Sequence, residues 1–589
     1  MGKESKDFKS FADLRKALGG GEEPPDEVKP EVAANDEAED DGLPERAYAR
    51  ELIDAMGTSF GAMETGPACY RDADSEEMEL LATFRVRTVF PESVVAEAAQ
   101  LPTDPSEADC AAREDLRGAT IFTIDGEDAK DFDDAISIED HPDGGVEVGV
   151  HIADVSHYVV PGTYLDAEAL ARATSVYLAD QVIPMLPEAL SNTLCSLMPH
   201  RNRLAFSVFM HFGDDGARRG VRIHKSVIRS VHRCTYRGVQ NLLDGVDDDS
   251  VRAMAAIAPR LRAFAAWTKR QQQLRDARGS LRLQSGERKF AFNAEHQVER
   301  IYRADTFFSQ ALIEETALAA NQAVGDFFND RRMPAIYRIH PEKDAKELAA
   351  TIANLAKYGI RVPQKERLTG RDIGRLILQA RRRPNPEATI ARIMSLMECA
   401  VYELVPPGGE APHYGLARQH YLHFTSPIRR YPDLMVHRWL HELQSRDALA
   451  ELELLEADKM LDLVDVAAHA SAQADMASLV EVAVGDLKVC QYMHAFVGQK
   501  VMAMIERVSP WGLDLLLHEQ FVHLFLPARS MDGRKQVDGP RMRVTSRKGN
   551  RVFDEGERLS VVITAVDFVR LQVVVDLAPQ TRGMSTQQK

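Results

Sequence analysis

The chain has 589 residues, of which 44% are hydrophobic, so it contains enough apolar material for several buried cores and predicts two to four domains. No apolar run reaches the roughly 18 residues that a membrane-spanning helix needs, and the polar start does not resemble a secretory signal. We therefore expect no membrane association. The formal net charge of −18 gives no support for a polyanionic ligand.

The negative charge is concentrated early in the chain. Residues 1–115 contain 29 Asp and Glu against 12 Lys and Arg, so the remaining residues are close to neutral. Within that stretch, residues 19–45 combine Gly, Pro and acidic residues, a composition that cannot offset the entropy lost on ordering. The sequence predicts a largely disordered acidic leader over 1–85, with a short helix at 45–56 and folded structure from about Phe84.

The cysteines indicate a reducing environment. All six are scattered, and none forms a Cys-x-x-Cys pair. They are Cys69, Cys110, Cys195, Cys234, Cys399 and Cys490. Neither a zinc site nor a disulfide framework is predicted, and a cytoplasmic location is expected.

Alternating apolar residues predict a β-hairpin at the start of the folded part. A strand is expected over 119–125, and residues 132–139 and 146–152 alternate on either side of a Pro-Asp-Gly-Gly turn. The first hairpin strand places Asp134 on the same face as apolar neighbours.

Helical patterns dominate the middle of the chain, and β-rich runs dominate its end. Residues 240–400 are rich in helix formers at helical spacing, and residues 447–490 predict one or two long amphipathic helices. After residue 494, five short β-rich runs predict an OB-type barrel over 491–580, followed by a disordered tail at 581–589. The expected fold class is α+β.

Four aspartates lie close together in the segment Thr123-Ile-Asp-Gly-Glu-Asp-Ala-Lys-Asp-Phe-Asp-Asp-Ala-Ile136. They are Asp125, Asp131, Asp133 and Asp134. The flanking apolar residues favour a packed setting, where four carboxylates cannot all stay ionised without a cation. Hard oxygen ligands select Mg²⁺, with Mn²⁺ as the alternative, and such ions can activate water against a phosphodiester.

Two other interpretations of this acidic segment exist. An acidic run is commonly a solvated surface, and composition alone leaves that interpretation as open as metal binding. A calcium loop of the EF-hand type does not fit, because Lys130 stands where that loop needs glycine and Ile136 where it needs glutamate.

A second informative segment is His423-Phe-Thr-Ser-Pro-Ile-Arg-Arg-Tyr-Pro-Asp-Leu-Met-Val-His437. Pro432 suits the first turn of a helix, which would place Arg429 and Arg430 just before its N-terminus, where backbone donors favour an anion. Arginine grips phosphate through two parallel hydrogen bonds, so this pair is a candidate RNA-phosphate site. A helix cap with exposed arginines is the alternative. Tyr177 is a candidate base-stacking residue, with ordinary packing as its alternative.

Together these segments resemble the ribonuclease II / ribonuclease R (RNB) family from about Val86 to Pro579. Further matching motifs are His151-Ile-Ala-Asp-Val-Ser-His-Tyr158, Ile183-Pro-Met-Leu-Pro187, Leu194-Cys-Ser-Leu197 and Ile313-Glu-Glu-Thr-Ala-Leu-Ala-Ala-Asn321. The resemblance implies an RNB catalytic domain over 86–490, a mixed β-sheet surrounded by helices, ahead of an RNA-binding OB barrel. The family usually carries two cold-shock-type OB domains before the catalytic domain, whereas about 85 residues precede the matched region here.

The resemblance also assigns roles to individual residues. The four aspartates match the family's metal-binding and catalytic aspartates, and Asp133 matches the one most closely tied to the chemistry. Arg429 matches the arginine that holds the phosphate at the active centre. Tyr177 matches the aromatic that stacks on the base near the scissile bond.

Two further RNA contacts of the family can each be matched to either of two residues in this sequence. The wall opposite Tyr177 would be Phe290 or Phe292. A nearby acidic contact would be Glu314 or Glu315.

The implied activity is processive 3′-to-5′ hydrolysis of single-stranded RNA to nucleoside 5′-monophosphates. The expected protein is a monomer, and its protein partners are not predicted. A catalytically silent RNA-binding protein of the same fold is the competing class, which a missing aspartate or a missing Arg429 would favour. A DNA exonuclease with the same metal chemistry also stays open. Motifs for NTP hydrolysis and for serine acyl chemistry do not occur.

Overall fold

A computed structural model describes residues 75–579, except 282–287, 366–367, 384, 446–456, 519 and 548. Most of the predicted leader, its short helix at 45–56 and the tail at 581–589 lie outside the described residues. A helix at Ser75–Thr83 falls inside the segment assigned to the leader. Folded structure therefore begins earlier than the sequence pattern indicates, because this helix packs its apolar side against the body. The domain boundaries otherwise stay a prediction.

The described residues form short strands and mostly longer helices. The strands are β1 Glu114–Leu116, β2 Phe122–Asp125, β3 Asp134–Asp140, β4 Val146–Ala153, β5 Val176–Tyr177, β6 Val182–Ile183, β7 Asn202–Phe212, β8 Arg218–Arg229, β9 His232–Thr235, β10 Arg288–Phe292, β11 Val298–Arg303, β12 Ala335–Ile339, β13 Val401–Val405, β14 Pro412–His413, β15 Arg418–Gln419, β16 Lys500–Ser509, β17 Gly512–Leu517, β18 Val522–Pro527, β19 Arg534–Asp538, β20 Arg541–Ser546, β21 Gly549–Asp554, β22 Arg558–Asp567 and β23 Gln572–Leu577. The helices are α1 Ser75–Thr83, α2 Glu92–Ala98, α3 Glu107–Ala111, α4 Tyr164–Arg172, α5 Tyr236–Asp244, α6 Asp249–Ala253, α7 Ala258–Arg278, α8 Phe308–Asp330, α9 Ala345–Lys357, α10 Gly370–Ala380, α11 Pro386–Met394, α12 Tyr431–Ser445 and α13 Ala457–His494.

The part of the chain before the barrel is organised around a seven-stranded mixed sheet in the order β1-β8-β7-β4-β3-β2-β9. β1 runs parallel to β8 and β2 parallel to β9, whereas the other neighbours are antiparallel. The predicted hairpin is confirmed as β3 and β4, in which Asp134 lies opposite Ile152.

Both faces of this sheet are buried, which is why its strands contain few exposed residues. Ile136 and Val150 point into one core, which α5, α7 and α8 cover. Ala135 and Leu204 point into the other core, which α2, α4 and the first half of α13 cover. This arrangement confirms the predicted mixed sheet surrounded by helices. It also holds the ends of β2 and β3, which carry aspartates, in a rigid frame.

The predicted OB-type barrel is confirmed as the closed barrel β16-β17-β18-β23-β22. A separate three-stranded sheet, β19-β20-β21, is inserted between β18 and β22, and the sequence pattern did not predict it. The middle of the chain is mainly helical as expected, but it also contains the β10–β11 hairpin and β12, which pairs with β13. These strands were missed because helix formers dominate the composition around them.

Helix α13 connects the part built on the seven-stranded sheet to the barrel. α1 packs against its second half, where the buried Glu77 carboxylate meets the buried Lys488 ammonium at 2.5 Å. Leu81 and Phe84 share one apolar cluster with Val480 of α13 and with Leu571 at the start of the last barrel strand. Within the described ranges, no helix has the length and apolar character needed to cross a bilayer.

Candidate active site

The four predicted aspartates lie in one short stretch at the ends of two neighbouring strands of the sheet. Asp125 ends β2, Asp134 begins β3, and Asp131 and Asp133 lie on the loop between these strands. Because β2 and β3 are neighbours in the sheet, the two strand ends bring Asp125 and Asp134 together.

Anchors from elsewhere in the chain fix this aspartate loop (residues 126–133). The Phe132 amide donates to the Ser196 hydroxyl at 3.0 Å, and that hydroxyl donates to the Lys130 carbonyl at 2.7 Å. The Arg233 guanidinium donates to the carbonyls of Gly126 at 2.8 Å and of Glu127 at 2.6 Å. Bonds at both ends therefore hold the loop in one conformation and turn Asp133 inward.

A second loop, residues 424–430 (the arginine loop), meets the aspartate loop at Asp133. The Ile428 amide donates to Asp133 Oδ1 at 2.9 Å, and Arg429 Nε lies 3.4 Å from Asp133 Oδ2. The Phe424 amide donates to Asn321 Oδ1 at 2.8 Å, which ties the start of this loop to α8. One carboxylate therefore orients both the backbone and the arginine of the facing loop.

The two predicted arginines have different surroundings. Arg430 donates two hydrogen bonds to Asp433, at 2.8 and 2.7 Å, and is largely buried. Asp433 also accepts from the Ser426 amide at 2.8 Å, so this pair shapes the loop at the start of α12. Arg429 keeps 40% of its side chain exposed. Arg429 is thus accessible to a ligand, whereas the guanidinium of Arg430 is already bound to Asp433.

Tyr177 stands beside Arg429. The Arg429 guanidinium carbon lies 6.0 Å from the centre of the Tyr177 ring, and 38% of this tyrosine is exposed. The Ser175 amide and the Thr174 hydroxyl both donate to the Arg429 carbonyl, at 3.1 and 3.2 Å. The Tyr177 amide donates to Glu481 of α13 at 2.9 Å. The β5–β6 hairpin is therefore bound to the arginine loop on one side and to α13 on the other.

Burial works against the charge of these carboxylates. It raises the pKa of Asp133 well above the usual range, although Arg429 and the Ile428 amide oppose the shift. Burial, and then the charge of Asp134, raise the pKa of Asp125. Burial also raises the pKa of Asp134, against the opposing charge of Arg429. Neighbouring acids with raised pKa values form a site that a cation would stabilise in its ionised form.

The donor chemistry fits a hard divalent cation. Asp125 Oδ2 is buried and has no hydrogen-bond partner among the described residues, and it lies in a group of oxygen donors. No three His, Cys, Asp or Glu side chains of the described ranges form a ready metal-binding group. The oxygen atoms of these residues can therefore contribute to such a site.

The remaining predicted contacts lie on other elements. Phe290 and Phe292 are 6.2 Å apart on β10, and Phe290 packs against the barrel core. Glu314 and Glu315 on α8 both contact Arg275, at 2.6 and 3.1 Å. The structure thus associates Phe290 with the barrel and the two glutamates with α7, and the roles of all four residues toward RNA stay predictions.

Sequence reasoning missed several residues that build the site. Ser196 lies inside the Leu194-Cys-Ser-Leu197 motif, but the motif itself does not reveal which loop it holds. Arg233 lies within a short β-run, and Glu481 is one of six acids on α13. Burial and the charges of Asp134 and Asp125 raise the pKa of Tyr236, which places this phenol close to the aspartates. None of these contacts has a local sequence signal.

A family model described as RNB domain matches residues 113–446, which is more than half of the chain. The chain belongs to the RNB family. The match contains the aspartate loop, Tyr177 and the arginine loop, whereas α1 and the barrel lie outside it.

Curated relatives support the RNB assignment. Ribonuclease R of Escherichia coli (strain K12) is 33% identical over 86% of this chain and 63% of its own length. Ribonuclease R of Thermotoga maritima is 33% identical over 82% of this chain and 67% of its own length. The chain therefore spans about 63% of the length of the Escherichia coli relative.

Solved structures show the same RNB architecture. Mycoplasma genitalium RNase R in complex with ribose methylated single-stranded RNA has a TM-score of 0.74 and 25% identity, covering 85% of this chain and 78% of that chain. Yeast Ssd1, a pseudonuclease, has a TM-score of 0.58 and 17% identity, covering 81% of this chain and 59% of that chain. The likeness to Ssd1 concerns the fold alone.

Proposed function

We propose that the chain is a 3′-to-5′ exoribonuclease that hydrolyses single-stranded RNA processively to nucleoside 5′-monophosphates. The observation that carries this proposal is the meeting of three segments at one place. The aspartate loop, the arginine loop with Arg429 and the hairpin with Tyr177 are joined by hydrogen bonds between Asp133 and Ile428 and between Ser175 and Arg429. Carboxylates, an exposed arginine and an exposed ring are the groups that phosphodiester cleavage at the end of a single strand requires.

Each side chain has a distinct task in this mechanism. Tyr177 stacks on a terminal base and thereby positions the last phosphodiester for attack. Arg429 donates hydrogen bonds to the phosphate and stabilises the charge that develops on it. Asp133 keeps Arg429 oriented and contributes its carboxylate to the reaction centre. Arg430 contributes indirectly, because its pair with Asp433 holds the loop on which Arg429 stands.

We further propose that Asp125, Asp131, Asp133 and Asp134 hold a divalent cation, Mg²⁺ or Mn²⁺. When bound, such an ion neutralises the phosphodiester and activates water for hydrolysis. The support is the raised pKa of the buried acids and the unpartnered Asp125 Oδ2.

The relatives point in the same direction. The curated relatives are named Ribonuclease R, and the solved Mycoplasma genitalium enzyme was obtained with single-stranded RNA. The pseudonuclease Ssd1 shares the fold, but the four aspartates and Arg429 are all present here, so no observation favours a silent binding protein. A cytoplasmic monomer stays the expectation from sequence.

The test is a gel time course with the purified chain, Mg²⁺ and a 5′-labelled single-stranded RNA of about 30 nucleotides. The same reaction is run with EDTA, with a DNA oligomer and with Asp133→Asn. We expect conversion of the labelled RNA directly to a very short product, with EDTA abolishing cleavage and the DNA left intact. Asp133→Asn should lower the rate at least about 100-fold, because the amide keeps the volume and removes the charge.

Asp143→Asn is the matched control, because this aspartate is 85% exposed in the turn of the same hairpin. It should cleave at the rate of the unaltered chain. Asp133→Asn should still bind a short RNA on a native gel. Retained cleavage by Asp133→Asn would remove Asp133 from the mechanism, and RNA that is bound but never cut by the unaltered chain would refute the exoribonuclease proposal.

A further inference from the structure

The sheet inserted in the barrel has one apolar face and one exposed face. Met542, Val544 and Phe553 point inward and belong to the barrel core. The pairing of the strands places Arg534 opposite Thr545, and Gln536 opposite Arg543, on the outer face. This outer face of β19-β20-β21 is called the arginine face below.

Four arginines outnumber the two aspartates of this face and its turn, so the face carries a net positive charge. Arg541 is balanced, because it pairs with Asp554 at 2.5 Å and also lies opposite Asp538. Arg534, Arg543 and Arg547 are exposed, and among the described residues no ion pair balances them. Apart from the two aspartates beside Arg541, the neighbouring positions on the same face are uncharged, namely Gln536, Thr545, Asn550 and Val552. Such a patch favours a polyanionic partner.

The chain itself contains a segment of opposite charge. Residues 22–45 hold 11 Asp and Glu against a single basic residue, Lys29, in a chain whose remainder beyond residue 115 is close to neutral. This segment lies outside the described residues, so the inference uses only its charge and the position of α1, to which it is attached.

The attachment point is next to the barrel. α1 begins at Ser75, and its Leu81 packs in the same cluster as Leu571, which directly precedes β23. About 30 residues separate residue 45 from α1, which can span up to about 100 Å when extended. The acidic segment can therefore reach the arginine face of its own chain.

We propose that residues 22–45 bind the arginine face within the same chain. Covalent attachment gives the segment an effective concentration of roughly millimolar at that surface, well above that of a free ligand in dilute solution. Attraction between many exposed charges is long-ranged only at low salt, because the Debye length falls from about 10 Å at 0.1 M to about 3 Å at 1 M. The contact should therefore be strong at low ionic strength and weak at high ionic strength.

The test places a photo-crosslinker on the arginine face of the full chain, as Gln536→p-benzoylphenylalanine. After irradiation at low salt, mass spectrometry identifies the crosslinked peptide. We expect crosslinks to residues 22–45 within one chain, and their loss at 1 M NaCl. A mixture of isotopically light and heavy chains distinguishes crosslinks within one chain from those between chains.

Charge variants of the same crosslinker chain provide the controls. Combined Arg534→Glu, Arg543→Glu and Arg547→Glu should abolish the crosslink, whereas lysine at the same three positions should keep it, because lysine keeps the charge. Replacing the acids of 22–45 by their amides should abolish it without altering the face. A crosslinker at the exposed Val160 of the catalytic part should not capture the segment.

Several results would overturn the proposal. These are an unchanged crosslink after charge reversal, equal capture at Val160, and crosslinks that join only different chains. If Gln536→p-benzoylphenylalanine captures added single-stranded RNA but never residues 22–45, the arginine face belongs to RNA instead. The assay does not involve hydrolysis, so its failure leaves the proposed nuclease activity untouched.

Discussion

Arg429 and Arg430 are consecutive residues with the same charge, and yet the structure gives them separate tasks. Arg429 faces an open space beside Tyr177 and touches Asp133, whereas Arg430 points back to Asp433 in the first turn of α12. The difference arises because the Arg429 side chain points toward the aspartate loop, whereas the Arg430 side chain points toward α12. Substitutions at these two positions should therefore fail in different ways.

Arg429→Lys should lower the rate of RNA cleavage about 100-fold, because an ammonium cannot reproduce the paired hydrogen bonds of a guanidinium to phosphate. The measurement is single-turnover cleavage at saturating enzyme, compared with thermal unfolding of the same variant. The unfolding midpoint should stay close to that of the unaltered chain. A cleavage rate within about threefold of that of the unaltered chain would contradict the role of Arg429.

Arg430→Ala should instead reduce the free energy of unfolding by about 3 kcal/mol, because it leaves the fully buried Asp433 without its charged partner. Denaturant titration measures this loss. Arg222→Ala serves as control, since Arg222 is 52% exposed in its pair with Glu147 and should cost less than about 1 kcal/mol. Equal losses for the two variants would show that the Arg430–Asp433 pair does not stabilise the loop.

At the scale of elements, the aspartate loop depends on a segment more than sixty residues away. Ser196 is fully buried, accepts from the Phe132 amide and donates to the Lys130 carbonyl. The Leu197 amide adds a bond to the Phe132 carbonyl at 3.0 Å. The segment around Leu194-Cys-Ser-Leu197 thus serves as a template against which the loop is shaped.

Ser196→Ala should cost about 1–3 kcal/mol of unfolding free energy, because the buried Phe132 amide loses its acceptor. The cleavage rate should fall as well, since the loop that carries Asp133 becomes less well fixed. Thermal unfolding and single-turnover cleavage measure the two effects. Ser478→Ala is the control, because that hydroxyl bonds to its own helix at an exposed position. Unchanged stability and unchanged rate in Ser196→Ala would refute the template role.

The sequence patterns predicted most of the helices and strands, but they did not predict the contacts between elements that are distant in sequence. The alternation around Asp134 predicted the β3–β4 hairpin because one strand period repeats over a long run, and Pro432 marked the start of α12 because proline suits a first helical turn. In contrast, the bonds from Ser196 and Arg233 to the aspartate loop are made by residues distant in sequence. Local patterns carry no information on such pairs, so the roles of these residues became visible only in the fold.

At the scale of the whole molecule, α1 packs against both α13 and the barrel. It lies on α13 through the buried Glu77–Lys488 pair and reaches the barrel through Leu81 and Leu571. α13 in turn bonds to the Tyr177 hairpin through Glu481. The sequence pattern assigned α1 to the leader because its nine residues carry three acids, and the apolar surface that it covers belongs to distant segments.

Glu77→Gln should reduce the free energy of unfolding by about 3–5 kcal/mol, because Lys488 stays buried without its counter-charge. Urea denaturation measures the loss. Replacing both Glu77 and Lys488 by Met should cost much less, since it removes both desolvated charges. Glu76→Gln, at an exposed position one residue away, is the control. If Glu77→Gln were no more destabilising than Glu76→Gln, the packing of α1 on α13 would not depend on this pair.

The bond between the Ile428 amide and Asp133 joins residues 295 positions apart. A ribosome has to release both the aspartate loop and the arginine loop, with the sheet between them, before this contact can form. A nascent chain that has exposed only its first half therefore holds its acids without the arginine that faces them. The site of the proposed nuclease therefore cannot be complete until the arginine loop has left the ribosome.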